Sequence, residues 1–297
     1  MQCALPRTPG HEGAGIVESL GDGVTCLRVG ERVGVAFLAS ACGACRHCLT
    51  GWETLCPSQQ RTGYGSDGCF AEYIALPAAF CVRLPAALSL LQAPPLLCAG
   101  VTVWKAIKES EVRPGQWLLV LGATGGLGSL AVQFGAAMGL QVLAADVAPE
   151  SSTYALRLGA SAYVPTKNSS VAQTVAALKR ETGALGGVAA ALIIAPSLDS
   201  YQVGVGALCP GGTAIAISLP SGGAAKVDIL PLVLERKTLR GSIVGTRADL
   251  SECLSFACLH NIFAETREVP LESVNEAMGD LKAGRVRGRV VLRIAFP

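Results

Sequence analysis

Hydrophobic and polar positions alternate in two different rhythms along this chain. From position 10 to 85 the apolar residues come in short β-branched runs broken by glycine, GIVESLG, ERVGVAF and FAEYIALP, which predicts a small, loop-rich β domain. Prolines at 85, 94 and 95 punctuate the passage into LLCAGVTVWKAIKES, where Trp104, Ile107 and the apolar residues before them recur at helical spacing. Next comes a strand at Trp117–Leu121, a glycine turn, a helix at Leu127–Met138 and a second strand at Gln141–Ala145. Helices around Tyr154–Leu158 and near Val171–Arg180 follow, with strands at VAAALIIA, TAIAISL and GSIVG. Apolar strands alternating with helices imply an α/β fold with a doubly wound parallel sheet. The last segment, EVPLESVNEAMGDLKAGRVRGRVVLRI, predicts an amphipathic helix and then a strand.

The glycine turn is Gly122-Ala-Thr-Gly125-Gly126-Leu127-Gly128. A phosphate approaches backbone closely only where side chains are absent, and helix N-terminal N–H groups favour its charge. Gly122 suits a tight turn, Gly125 and Gly126 a close pyrophosphate, Leu127 the opening of the helix, and Gly128 the packing of that helix on the sheet. Asp146 ends the second strand, eighteen residues after Gly128. A carboxylate there accepts from both ribose hydroxyls and repels a 2′-phosphate, which selects NAD over NADP. A glycine-rich packing turn with a capping Asp is the plainer alternative.

Twelve cysteines are present, four of them inside CGACRHCLTGWETLC. Cys42, Cys45, Cys48 and Cys56 have the spacing C-x2-C-x2-C-x7-C, which suits a closed tetrahedral zinc site of structural role. An iron–sulfur cluster is the rival, because the opening spacing and Pro57 resemble a ferredoxin run. His47, between the ligands, reads as a solvated loop residue.

Composition narrows the classes. Half the residues are hydrophobic (51%) and 15% are charged, so the chain has the makings of a large core and not of a disordered segment. With 24 basic and 22 acidic residues there is no electrostatic case for nucleic acid or an anionic membrane. Residues 115–145 carry no charge and could be read as a membrane span, but seven glycines interrupt them and a buried strand–helix–strand explains them better. No signal peptide is evident, and clustered thiols point to a reducing compartment, so a cytoplasmic protein is expected.

GHEGAGIV, the four-cysteine lobe, GYGSDGCFAEY, LLCAGVTVWKA, GATGGLGSLAVQ, GSIVGTRAD and GRVVL occur in that order across almost the whole chain. Together they resemble the zinc-dependent medium-chain alcohol dehydrogenases, most nearly the yeast and fungal type. The resemblance implies a GroES-like catalytic domain at 1–97, a Rossmann NAD-binding domain at 98–260 and a return to the catalytic domain at 261–297. It also implies a catalytic zinc with His11 and Cys98 as ligands and Glu12 as the neighbouring acid that approaches the metal. By the same likeness Arg289 lies close to the cofactor pyrophosphate, and Phe37 stands where yeast-type enzymes carry a Trp near the substrate. The substrate implied is a small alcohol, aldehyde or ketone, and the assembly a homo-oligomer, tetramer or dimer.

In the family a further segment with the first zinc ligand and the proton relay precedes GHE. Its absence here predicts an incomplete catalytic zinc site and weakened packing of the first domain. Cys3, eight residues before His11, is too near to align with the absent ligand. A pseudoenzyme that binds NAD and structural zinc is the alternative function. A zinc-independent quinone-reductase type is disfavoured by GHE, Cys98 and the cysteine lobe.

Overall fold

Strands with apolar side chains on both faces need cover on both sides, and those in the middle of this chain obtain it in a parallel sheet. The computed structural model describes residues 4–294. In chain order, the first strands are β1 (Gly13–Ile16), β2 (Arg32–Val35) and β3 (Leu38–Ser40). Helix α1 (Arg46–Leu49), β4 (Gln60–Arg61), β5 (Cys81–Arg83) and α2 (Ala99–Glu109) follow. The middle of the chain holds β6 (Trp117–Leu121), α3 (Gly128–Ala137), β7 (Gln141–Asp146), α4 (Ser152–Arg157), β8 (Ala162–Pro165), α5 (Val171–Glu181) and β9 (Val188–Ile193). It continues with α6 (Leu198–Gly206), β10 (Leu208–Ala216), α7 (Ile229–Leu234) and β11 (Thr238–Gly241). Last come α8 (Arg247–His260), β12 (Thr266–Pro270), α9 (Val274–Lys282) and β13 (Arg289–Arg293).

These elements form two compact units. Thr102–Ile243 is one, and the described residues before and after it make the other. The central unit is a six-stranded sheet in the order β8-β7-β6-β9-β10-β11, with every pairing parallel. This is the Rossmann order, whose direction of progression reverses between β6 and β9. Leu119 lies opposite Leu143 on one side and Ala191 on the other, and all three are fully buried. Phe134 and Leu130 of α3 and Leu178 of α5 are fully buried too. Helix α5 starts with a reciprocal cap in which Ser170 and Gln173 satisfy each other's backbone N–H groups.

The other unit is β-rich. An antiparallel sheet runs β1-β2-β5, β3 pairs β4, and β12 lies parallel to β13. Two sequence expectations shift here. GSIVG was expected as a strand, but the last strand of the parallel sheet lies just ahead of it. Pairing stops at Gly241 opposite Ala216, where β10 ends, and Val244 then takes a positive φ of 36° that no ladder accepts. FAEYIALP, expected as one of the β runs, lies in no strand among the described residues, and an unpaired segment is not a sheet. Residues 115–145, apolar enough to suggest a membrane span, are β6, α3 and β7. No helix among the described residues is long and apolar enough to cross a membrane.

Candidate functional site

The cysteine lobe is built from turns too short to bury a core. Cys45 precedes α1, Cys48 lies within it, and a 3-10 turn at Glu53–Leu55 returns the chain to Cys56, which is buried. The four sulfurs all lie within 4.8 Å of one another, with Cys48 3.9 Å from Cys42 and 3.6 Å from Cys45. A tetrahedral ion with Zn–S bonds of about 2.3 Å separates its sulfurs by about 3.8 Å, so one zinc ion fits and a multi-iron cluster does not. The Cys42 N–H donates to Cys56 Sγ (3.4 Å) and the Cys45 N–H to Cys42 Sγ (3.3 Å). The N–H groups of Ala44 and Cys45 hold the Cys42 thiol down to about 6, in the range where it offers a thiolate at neutral pH. His47 is exposed.

The lobe is tied down by a pair of residues that sequence reasoning did not single out. Glu53, nearly buried, receives the Arg247 backbone N–H at 2.7 Å and its guanidinium at 2.9–3.2 Å. The guanidinium also donates to the Ala79 carbonyl (3.0 Å) and stacks 4.4 Å from the centre of the Phe80 ring. Arg247 opens α8, whose start is fixed by a Thr246–Asp249 capping box. That box, and the spacing of buried Leu250, Cys253, Leu254 and Ala257, were signals for a helix that the hydrophobic pattern alone did not deliver.

His11 and Glu12 lie immediately before β1. Their approach is laddered against the GYGSDGCF turn: Gly68 donates to the Thr8 carbonyl, Cys69 to Gly10 and Phe70 to Pro9. A side chain at Gly68 would collide with the Pro9 and Gly10 carbonyls, which accounts for glycine there. Asp67 accepts from the Thr8 N–H (3.0 Å) and pairs with Arg7. Glu12 then reaches across the unit. One carboxylate oxygen accepts the Ala99 N–H at 3.1 Å, beside Cys98, and the other pairs with the Arg289 guanidinium of β13. His11, Glu12, Cys98 and Arg289 are thereby drawn into one locality.

Burial holds His11 below its usual imidazole value; Glu12 opposes this and Arg289 adds to it. The imidazole is neutral at pH 7, the form that ligates a metal. Its ring meets the edge of Phe37 at 5.1 Å, and Phe37 in turn meets Tyr64 at 5.8 Å. A nitrogen and a thiol sulfur are a zinc-type donor pair. Among the described residues, however, only the four lobe cysteines gather three or more ligating atoms, and Glu12 is engaged with Ala99 and Arg289. Cys3 lies outside the described residues.

In the central unit, Gly122 leaves β6 at φ +84° and donates to the Ala145 carbonyl, so the chain turns sharply against the end of β7. A Cβ on Gly128 would collide with the Gly122 carbonyl and the Ala123 backbone, so α3 could not approach the turn as closely with any other residue. Gly125, Gly126 and Leu127 complete the turn. Asp146 faces it: one oxygen accepts the Thr124 N–H (2.8 Å) and hydroxyl (2.7 Å), and the other the Val147 N–H (2.7 Å). Each oxygen has two lone-pair directions, so acceptor capacity remains beside Val147. A cleft of about 190 Å³ opens at these strand ends, lined by Gly122, Asp146, Thr166, Ala195 and Ser197 among others. Clefts outside the carboxyl ends of parallel strands are where dinucleotides bind. Thr124, missed by the glycine pattern, is the residue that orients Asp146.

Comparison with known proteins agrees with this geometry. Residues 1–86 match the family described as alcohol dehydrogenase GroES-like domain, and residues 126–258 the family described as zinc-binding dehydrogenase. An alcohol dehydrogenase of Rhizobium meliloti is 46% identical over 97% of this chain and 82% of its own length, and one of a Moraxella species is 42% identical over the same shares. The crystal structure of the alcohol dehydrogenase from the archaeon Aeropyrum pernix superposes with a TM-score of 0.88 at 29% identity, covering 98% of this chain and 83% of that one. A parallel sheet in Rossmann order, a β-rich partner unit, a four-thiolate lobe and relatives of this closeness lead to one assignment: the chain belongs to the zinc-binding, NAD-dependent alcohol dehydrogenases.

Proposed function

We propose that this chain transfers hydride between a small primary or secondary alcohol, or the corresponding carbonyl compound, and NAD. His11 and Cys98 are assigned as ligands of a catalytic zinc, and Cys42, Cys45, Cys48 and Cys56 hold a structural one. The observation that carries this reading is the reach of Glu12 to both the Ala99 N–H and Arg289, which brings the histidine and cysteine segments together around a neutral imidazole. When bound, zinc supplies Lewis-acid polarisation of the alcohol oxygen, and NAD supplies the hydride acceptor.

The chain's own residues do the positioning. Asp146, held by Thr124, orients the adenosine ribose and disfavours a 2′-phosphate. The glycine turn admits the pyrophosphate. Within the β-rich unit, Glu12 fixes the Arg289 guanidinium of β13. Phe37 offers an apolar wall beside His11. Glu12 acts here through Ala99 and Arg289, as a positioning residue.

A second reading, a chain that binds NAD and structural zinc without turnover, draws on the lack of a third ligating atom around His11 and Cys98 among the described residues. NAD-linked oxidation of short alcohols, measured in wild type and His11→Ala, separates the two: turnover lost in the variant supports the first, and no turnover in either supports the second. The protein is assigned to the cytoplasm as a homo-oligomer. Strand β11 is an exposed edge, and Ile229, Leu230, Val233 and Leu234 of nearby α7 are all at least 64% exposed. Such an edge with apolar surface beside it suits a second copy of the chain. Leu230→Lys with Leu234→Lys would reduce the sedimentation mass if this surface is the interface, and leave it unchanged if not.

A further inference from the structure

Two thiols that take no part in either metal site share a cleft in the β-rich unit. Cys26, on the loop before β2, is exposed, and Cys81 begins β5. Both line a cleft whose other walls include Leu38, Phe80, Arg83 and Arg247. The placement follows from the strand. Cys81 and Arg83 are two residues apart on β5, so their side chains project from the same face. The Arg83 guanidinium donates to the Cys26 carbonyl, which sets the Cys26 loop over that face, and it pairs with Glu31 at 3.3 Å. The Cys81 thiol itself lies 4.0 Å from the Pro77 carbonyl.

We propose that Cys26 and Cys81 are a reversible dithiol pair, oxidised by small disulfides of the glutathione class. Exposure makes Cys26 the attacking residue. Burial, and then the proximity of Cys26, raise the Cys81 thiol above its usual value, which makes it the poorer initial nucleophile and leaves it for the second step, where the cleft holds it beside Cys26. The Cys26 thiolate attacks one sulfur of the small disulfide. That S–S bond breaks, and the leaving thiolate takes up the proton Cys26 has lost. Cys81 then gives up its proton and attacks Cys26 Sγ, expelling the second small thiol. Two protein thiols are oxidised by two electrons, and one disulfide is reduced to two thiols. Arg83 and Arg247 line the cleft with their charges already paired, by Glu31 and Glu53. The product would staple the loop before β2 to β5 and leave the zinc lobe untouched.

The test treats the zinc-loaded full chain with oxidised glutathione, then maps non-reduced tryptic peptides. Cleavage at arginine places Cys26 in residues 8–28, and Cys69 and Cys81 together in 62–83. The expected result is a link between these peptides in most chains. It is absent in Cys26→Ser and Cys81→Ser, present in Cys69→Ser and reversed by dithiothreitol, with zinc content unchanged. In Cys81→Ser, Cys26 should stop at the mixed glutathione adduct. A link that survives Cys81→Ser, a wild type that stops at the mixed adduct, an unreactive Cys26, or a link that forms only after zinc has left would each overturn the proposal.

Discussion

Replacing Arg247 by Ala should loosen the zinc lobe while sparing the parallel sheet. The Glu53 side chain is 11% exposed and that of Arg247 50%, so one charge of the pair is nearly buried and the other half in water. Breaking a fully buried pair costs about 3–5 kcal/mol, and an exposed one contributes about 0–1 kcal/mol. The Arg247 backbone N–H still reaches Glu53 in the variant, at 2.7 Å in the wild type, which offsets part of the loss. A cost of about 2 kcal/mol results, with the stack on Phe80 included. If zinc leaves through lobe opening, that cost speeds release on the order of thirtyfold. The assay is zinc transfer to a chromophoric chelator after rapid mixing. Arg247→Lys keeps charge but not the forked geometry and should fall between. Adding Glu53→Gln to Arg247→Ala should add little, because both changes break one contact. Release at the wild-type rate in Arg247→Ala, with an unchanged unfolding midpoint, would refute the clasp.

Other outcomes follow from the same geometry. Asp146→Gly should shift coenzyme preference from NAD toward NADP by on the order of tenfold, read as the ratio of kcat/KM values or of dissociation constants. Thr124→Val should weaken NAD binding less, through a misoriented Asp146. The folded pKa of His11 lies below its unfolded value, so the unfolded chain binds the proton more tightly. The stability His11 contributes as a neutral group is complete above pH about 6.5 and declines as pH falls from there toward the folded pKa. Denaturant unfolding across that window should show this decline in wild type and a shallower one in His11→Gln. Cys56→Ser should abolish metal binding at the lobe yet leave the far-ultraviolet signature of the Rossmann unit and its NAD affinity largely intact.

The central sheet was legible because β6, β7 and β9 are apolar on both faces and bounded by turn residues, so strand and helix rhythms changed at visible points. The cysteine lobe was legible because its chemistry is local: four thiols within fifteen positions leave little choice of partner. Residues 70–77 show the limit of local pattern, since an apolar run becomes a strand only where a neighbour pairs with it. The Glu53–Arg247 clasp spans 194 positions and has no local signature; neither residue type in isolation suggests a partner. Glu12 was visible through its motif, but its engagement with Ala99 and Arg289 depends on tertiary approach. Helix α8 lies between: its capping box and buried stripe were readable, though a weak difference between its faces hid them.

The most direct test is zinc per chain by elemental analysis in wild type, His11→Ala and Cys56→Ser, purified side by side. If His11 and Cys98 hold a metal of their own, wild type carries about two zinc ions, and each variant loses about one from a different site. The same zinc content in His11→Ala as in wild type, with all of it lost in Cys56→Ser, would contradict a catalytic zinc at His11 and leave only the structural ion in the lobe.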